Sequence, residues 1–195
     1  MRVIGITGGV GSGKSAVLEV LKQDYGACVI QADLVARKLM EPGGASYEAV
    51  VKAFGPAILN GDAEIDRPKL AEMIFSDEKK RRLLNSLTHP LVEAELRRRV
   101  LDNPERLVVL EAALPNEAGF RTMCESVWYI HAPEPVRIAR LQRDRGYSEE
   151  KCREIMRSQF SETEFRKVSD VVIENGGSLE ETRAQIQKIM DCGNG

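Results

Sequence analysis

Lys14 and Ser15 carry the clearest chemistry in this 195-residue sequence, because the six residues before them prepare a place for it. Gly8-Gly9-Val10-Gly11-Ser12-Gly13-Lys14-Ser15 fits Gly-x-x-x-x-Gly-Lys-Ser, the pattern of a phosphate-cradling loop. Glycines let a backbone curl round a phosphate chain with its N–H groups inward, and a following helix N-terminus adds positive potential. Lys14 then supplies a point charge near the β- and γ-phosphates, while the Ser15 hydroxyl suits Mg²⁺. The pattern implies a nucleoside triphosphate site contacted by Gly8, Gly9, Val10, Gly11, Ser12, Gly13, Lys14, Ser15 and Ala16, with Ser15 facing the metal.

Other side chains have types that could join that site. Asp33 follows the short apolar run Cys28-Val29-Ile30-Gln31, and ligands of open α/β sheets gather outside the carboxyl ends of the strands. A carboxylate there either accepts a proton from an attacking hydroxyl or caps the next helix, and spacing alone favours the cap. Asn175 follows Val171-Val172-Ile173-Glu174; its amide either reads a base edge or belongs to an Asn-Gly turn. Arg137, Arg140 and Arg143 recur three apart along one helical side. That spacing suits a lid bringing cations to a γ-phosphate and suits a salt-bridged surface helix equally well. Glu111 ends Leu107-Val108-Val109-Leu110, a weak pointer to a metal. His89 precedes Pro90, which predicts an extended residue at a helix start, although a lone histidine is usually structural.

These residues need elements to hold them. Val3-Ile4-Gly5-Ile6 reads as a buried strand before the loop, and Val17, Leu18 and Leu21 as the apolar stripe of a helix after it. Further strands are expected at Cys28–Gln31, Leu107–Glu111, Ser126–Ile130 and Val171–Ile173, with helices between them. The reading is an α/β protein with about five parallel strands flanked by helices. Residues 34 to 103 form a helical insertion too long for a simple crossover. Asp66 ahead of Pro68 marks one helix there, with Leu70, Met73, Ile74 and Phe75 as its apolar face; Val92, Leu96 and Val100 stripe another. Lys79-Lys80-Arg81-Arg82 and Arg97-Arg98-Arg99 point around most of a helical turn and read mainly as solvated faces. Ser148 begins a helix, and Ser161/Glu164 and Ser178/Glu181 fit capping boxes.

Composition is that of an ordinary globular chain, 43% hydrophobic and 30% charged. A formal net charge of −2 gives no global pull toward nucleic acid or anionic membrane. Four scattered cysteines, Cys28, Cys124, Cys152 and Cys192, lack metal-ligand spacing; Cys28 and Cys124 lie in or beside apolar runs and read as small buried hydrophobes. Reduced thiols, an N-terminus that leads straight into a strand, and no apolar run of spanning length imply a cytoplasmic protein. No Asn-Lys-x-Asp of a GTPase and no Leu-Ser-Gly-Gly-Gln of a transport ATPase is found, which leaves a small-molecule kinase.

A closer match runs along almost the whole chain. The opening Gly5-Ile6-Thr7-Gly8 through Ser15, then Gln31-Ala32-Asp33, Ala36-Arg37, Pro42-Gly43, Phe54-Gly55, Asp66-Arg67, Ile74-Phe75 and His89-Pro90 follow one another in a known order. Arg140-Leu141 with Arg143, Gln159, and Ser169-Asp170 with Ile173, Asn175 and Gly177 complete it. In this the sequence resembles the dephospho-coenzyme A kinase family. The resemblance implies a P-loop kinase fold with a helical acceptor-binding insertion and a helical lid. It implies transfer from ATP, with Mg²⁺, to the ribose 3′-hydroxyl of dephospho-coenzyme A. Asp33 becomes the general base, Arg37 and His89 acceptor contacts, Arg140 a phosphate contact from the lid, and Asn175 a neighbour of the adenine. The division it implies is a nucleotide core of 1–33, 104–133 and 166–195, an acceptor lobe of 34–103 and a lid of 134–165. The sequence departs from the family pattern at Gln31 (usually Asp), at Ala16 (usually Thr) and across Ala113-Leu114-Pro115-Asn116-Glu117 (usually Pro-Leu-Leu-Phe-Glu). Those departures keep open another P-loop kinase or a non-catalytic nucleotide-binding module. Oligomeric state is not legible.

Overall fold

The computed structural model describes residues 1–75, 77–113 and 119–192. They form two compact units, one of residues 1–30, 103–113 and 120–192, the other of residues 31–102 with Gly119.

The first unit is built on a five-stranded sheet of order β2-β3-β1-β4-β5: β1 Arg2–Thr7, β2 Cys28–Gln31, β3 Leu107–Glu111, β4 Ser126–His131 and β5 Val171–Glu174. β1 pairs in parallel with β3 and with β4, and β4 in parallel with β5. Both faces of such a sheet are covered, so its strands read as continuous apolar runs: all of Leu107–Glu111 is buried, and five of the six residues of β1. On one face α1 (Lys14–Tyr25) and α10 (Leu179–Cys192) pack Val17, Leu21, Ile186 and Met190 against Ile4, Ile6, Trp128 and Ile130. Trp128 is fully buried, its indole N–H donating to Ser126 Oγ at 3.1 Å. α6 (Phe120–Met123), α7 (Glu134–Arg145), α8 (Glu149–Arg157) and α9 (Glu162–Val168) belong to this same unit. Phe165 of α9 stacks on Tyr129 of β4 at 4.9 Å, and Ile138, Leu141 and Cys152 close a small core between α7 and α8. Ser148, Ser161 and Ser178 cap their helices as expected, the last two in full capping boxes.

The second unit is helical: α2 Ala32–Leu39, α3 Tyr47–Phe54, α4 Arg67–Phe75 and α5 Glu78–Leu101, with a 3₁₀ turn at Pro56–Ile58. Its core is Val50, Ile58, Ile65, Leu70 and Leu84. Two expectations fail here. Phe75 is not on the apolar face of α4 but 85% exposed. Pro90 does not begin a helix; it lies inside the 24 residues of α5, and His89 is helical. Leu84, Thr88, Val92, Leu96 and Val100 form one buried row at spacing four that runs straight past Pro90. Burial along that row outweighs the single backbone bond that proline removes. Thr88 Oγ1 also donates to Leu84 O at 2.9 Å in the turn before it.

The thiols are free, but the buried one is Cys152; Cys28 and Cys124 are half-buried and Cys192 exposed. Burial still pushes the Cys124 thiol up to about 12. Among the described residues, no helix is long and apolar enough to cross a membrane.

Candidate active site

The loop from Gly8 to Gly13 joins β1 to α1. Gly11 and Gly13 take left-handed backbone at φ +75° and +86°, where an L side chain is strained. Gly13 is also the N-cap of α1 and no side chain caps that helix. A helix start without a side-chain cap suits an anion, the physical meaning of a glycine ahead of Lys-Ser. Lys14 Nζ donates to Gly8 O at 2.6 Å and lies 3.8 Å from Glu111 Oε1. Glu111 is 7% exposed, so the end of β3 sets a buried carboxylate beside the loop lysine. Ser15 and Ala16 are exposed on the first turn of α1, and Ser12 Oγ is buried with no hydrogen-bond partner.

Two residues far along the chain reach this loop. Arg140 of α7 donates through Nη1 to Ser12 O (3.1 Å) and Gly11 O (3.4 Å), and through Nη2 to Asn175 O (2.8 Å). Asn175, after β5, is 4% exposed. Its Nδ2 donates to Ser12 O at 2.8 Å and to Gly13 O at 3.4 Å, while Oδ1 accepts from Thr182 Oγ1 at 2.9 Å. Both ends of that amide are thus engaged with the loop and with α10. Thr182 had no sequence signal, because its partner is seven residues away across a turn. Arg137 and Gln159 also touch the loop, although arginine spacing gave no reason to separate Arg137 from its neighbours.

Within the helical unit, Asp33 and Arg37 lie four apart on α2 and line one cavity of about 440 Å³ with Leu34, Ala36, Met40 and Arg67. Asp33 is exposed in the first turn; the N-cap is Gln31, so the capping role favoured by spacing is not taken. α2 starts directly off β2 and leaves no turn in which Asp33 could cap. Arg67 donates to Arg37 O at 3.3 Å, and burial with the neighbouring Arg37 charge draws its pKa below the usual guanidinium value. Sequence reasoning did not single out Arg67 for the site. His89 is half-buried on α5, which packs on α2, and it does not line this cavity. The two basic clusters are solvated, ion-paired faces: Lys80–Asp77, Arg82–Glu78, Arg97–Glu93, and Arg98 and Arg99 with Glu95. Of the divergent segment, Leu114–Glu117 lies outside the described residues; Ala113 O accepts from Thr7 Oγ1 at 3.3 Å.

Comparison with known proteins decides the family. The dephospho-CoA kinase family model matches residues 2–181. The chain belongs to the dephospho-CoA kinase family. A dephospho-CoA kinase of Moorella thermoacetica is 44% identical over 191 residues, covering 96% of this chain and 90% of the relative. One from Carboxydothermus hydrogenoformans is 38% identical over 96% of this chain and 92% of its own length. A crystal structure from Thermus thermophilus superposes with a TM-score of 0.82 at 30% identity, covering 97% of this chain and 96% of that one. A shikimate kinase from Acinetobacter baumannii shares the fold alone, with TM-score 0.53 at 19% identity over 98% of this chain and 92% of that chain.

Proposed function

We propose that this member of the family transfers the γ-phosphoryl group of ATP to the ribose 3′-hydroxyl of dephospho-coenzyme A, giving coenzyme A and ADP. The observation that carries this reading is the reach of the family match, residues 2–181, which includes both the loop and the cavity holding Asp33. The loop and the N-terminus of α1, which no side chain caps, bind the triphosphate, and Lys14 moves its point charge from Gly8 O to the phosphates. Arg140 keeps its guanidinium on the carbonyls of Ser12 and Asn175, so its charge acts from behind the loop. Asn175 serves the nucleotide by fixing the phosphate loop through Ser12 O and Gly13 O. Asp33 orients the 3′-hydroxyl and accepts its proton late in the transfer. Arg37 and Arg67, which line the cavity with Asp33, are the acceptor contacts, and His89, outside that cavity, is one on the family resemblance alone.

Mg²⁺ fits the donors that are present. Ser15 offers an exposed hydroxyl and Glu111 a carboxylate beside Lys14, both hard oxygens. Among the described residues, no three His, Cys, Asp or Glu gather to hold a metal alone, so most of its ligands would be phosphate oxygens and water. When bound, Mg²⁺ neutralises charge on the β- and γ-oxygens. Core and lid follow the division 1–33, 104–133, 166–195 and 134–165, with 34–103 the acceptor lobe. Partners are the two small molecules, in a cytoplasmic setting that suits four free thiols.

The test is mass-spectrometric detection of coenzyme A from dephospho-coenzyme A, ATP and Mg²⁺, with nucleoside monophosphates and shikimate as competing acceptors. Coenzyme A formation is the expected result. ADP release with another acceptor and none with dephospho-coenzyme A would overturn the assignment, and ATP binding with no turnover on any acceptor would indicate a regulatory module.

A further inference from the structure

Val10, within the loop, is held at its N–H, its carbonyl and its side chain. Its N–H donates to Gln159 Oε1 at 2.8 Å, and its carbonyl accepts from Arg137 Nε at 2.8 Å. Arg137 Nη2 reaches the same Gln159 oxygen at 3.4 Å, so the two side chains form a closed ring with the backbone of one residue. The Val10 side chain packs into the small core of Ile138, Leu141 and Cys152. Arg137 is half-buried, and that burial draws its pKa below the usual guanidinium value against the opposing pull of Tyr129 and Glu134. A guanidinium is taken partly out of water only where its hydrogen bonds compensate, and here they go to the loop.

Gly9 gives an independent sign of the same arrangement. Its backbone is not in the left-handed region, so conformation does not require glycine there. A Cβ at Gly9 would instead meet the tip of Arg137 and, at 3.1 Å, Gln159 Oε1. Glycine stands at this position because the brace occupies the space.

We infer that Arg137 and Gln159 are positioning residues for ATP: by gripping Val10 they hold the phosphate loop in its binding shape. A loop ordered beforehand gives up less conformational freedom when a triphosphate arrives, and that difference appears as affinity. The inference rests on ATP being the ligand of this loop and is independent of which acceptor is used. It also changes the character of the lid. α7 and the α8–α9 connection are fastened to the loop, so any movement of that segment carries the loop with it.

The experiment measures ATP dissociation constants by titration calorimetry without acceptor, alongside KM for dephospho-coenzyme A and the melting temperature. Gln159→Ala is expected to weaken ATP about tenfold, the size of one hydrogen bond to a charged network, with acceptor KM within about twofold of the parent. Gln159→Glu keeps an acceptor oxygen for Val10 N–H and for Arg137, and is expected to restore ATP affinity to within about threefold. Gly9→Ala displaces the two flexible tips without straining the backbone; its loss should not add to that of Gln159→Ala in the double variant. Unchanged ATP affinity in Gln159→Ala overturns the inference. So does full additivity with Gly9→Ala, or an equal fall in ATP affinity and melting temperature that Gln159→Glu fails to rescue. Failure of dephospho-coenzyme A to act as acceptor leaves the ATP measurement intact and counts against the acceptor assignment alone.

Discussion

Asn175→Ala separates a residue that reads a base from one that holds the loop. The wild-type amide makes two good bonds, to Ser12 O at 2.8 Å and from Thr182 Oγ1 at 2.9 Å. Each is worth roughly 1 kcal/mol net, and a buried partner left with nothing costs a further ~1–3 kcal/mol. Neither partner is orphaned here, however. Ser12 O still accepts from Arg140 at 3.1 Å, and Thr182 Oγ1 still reaches Ser178 O at 3.2 Å. The loss is therefore close to the two net bonds, about 2 kcal/mol, which in a chain of this size lowers the melting temperature by roughly 4–8 °C. Calorimetric melting gives the first readout, and titration with ATP and GTP the second. Both nucleotides are expected to weaken in the same proportion, because what has changed is the loop under their phosphates. A melting temperature within about 1 °C of the parent, together with a tenfold or larger change in the ATP-to-GTP ratio, would refute this reasoning and return Asn175 to the base.

Asp33→Asn is expected to lower kcat by about 10²–10⁴-fold, with ATP affinity unchanged and melting nearly so, since the side chain is exposed and caps nothing; steady-state kinetics showing turnover within threefold of the parent would remove its catalytic role. Glu95 is held well below the usual carboxylate value, at about 2, first by its hydrogen bonds from Arg98 and Arg99. A depressed folded-state pKa contributes stability that is complete above the ordinary glutamate value and disappears as pH falls through the folded one. Acid unfolding of Glu95→Gln is therefore expected to show a shallower loss of stability between about pH 5 and pH 2, and a slope identical to the parent's would discount this pair of ion bonds.

Much of the site was readable in the chain because its causes are local. A glycine-rich turn between an apolar strand and an amphipathic stripe needs no distant partner to be recognised, and Gly8–Ser15 sits where that reading puts it. Serine followed three residues on by glutamate announced two helix starts for the same reason. The apolar runs of β1, β3, β4 and β5 declared a sheet covered on both faces. Local signals also misled where packing outbid them. Pro90 argued for a break, yet the row from Leu84 to Val100 carries one helix through it, and Asp33 resembled a cap although α2 had already begun.

What the amino-acid order determined alone was thus the loop, its lysine and serine, the strand ends and the caps, all decided by residues within a turn of one another. Only the tertiary structure decided that Gln159 and Arg137 close on Val10, and that Arg140 and Asn175 secure Ser12 with Thr182 holding Asn175. The Gln159 and Val10 partners stand 149 residues apart. A hydrogen bond across that separation leaves no period or spacing in the chain, because its geometry comes into being only when the sheet and α7 have packed.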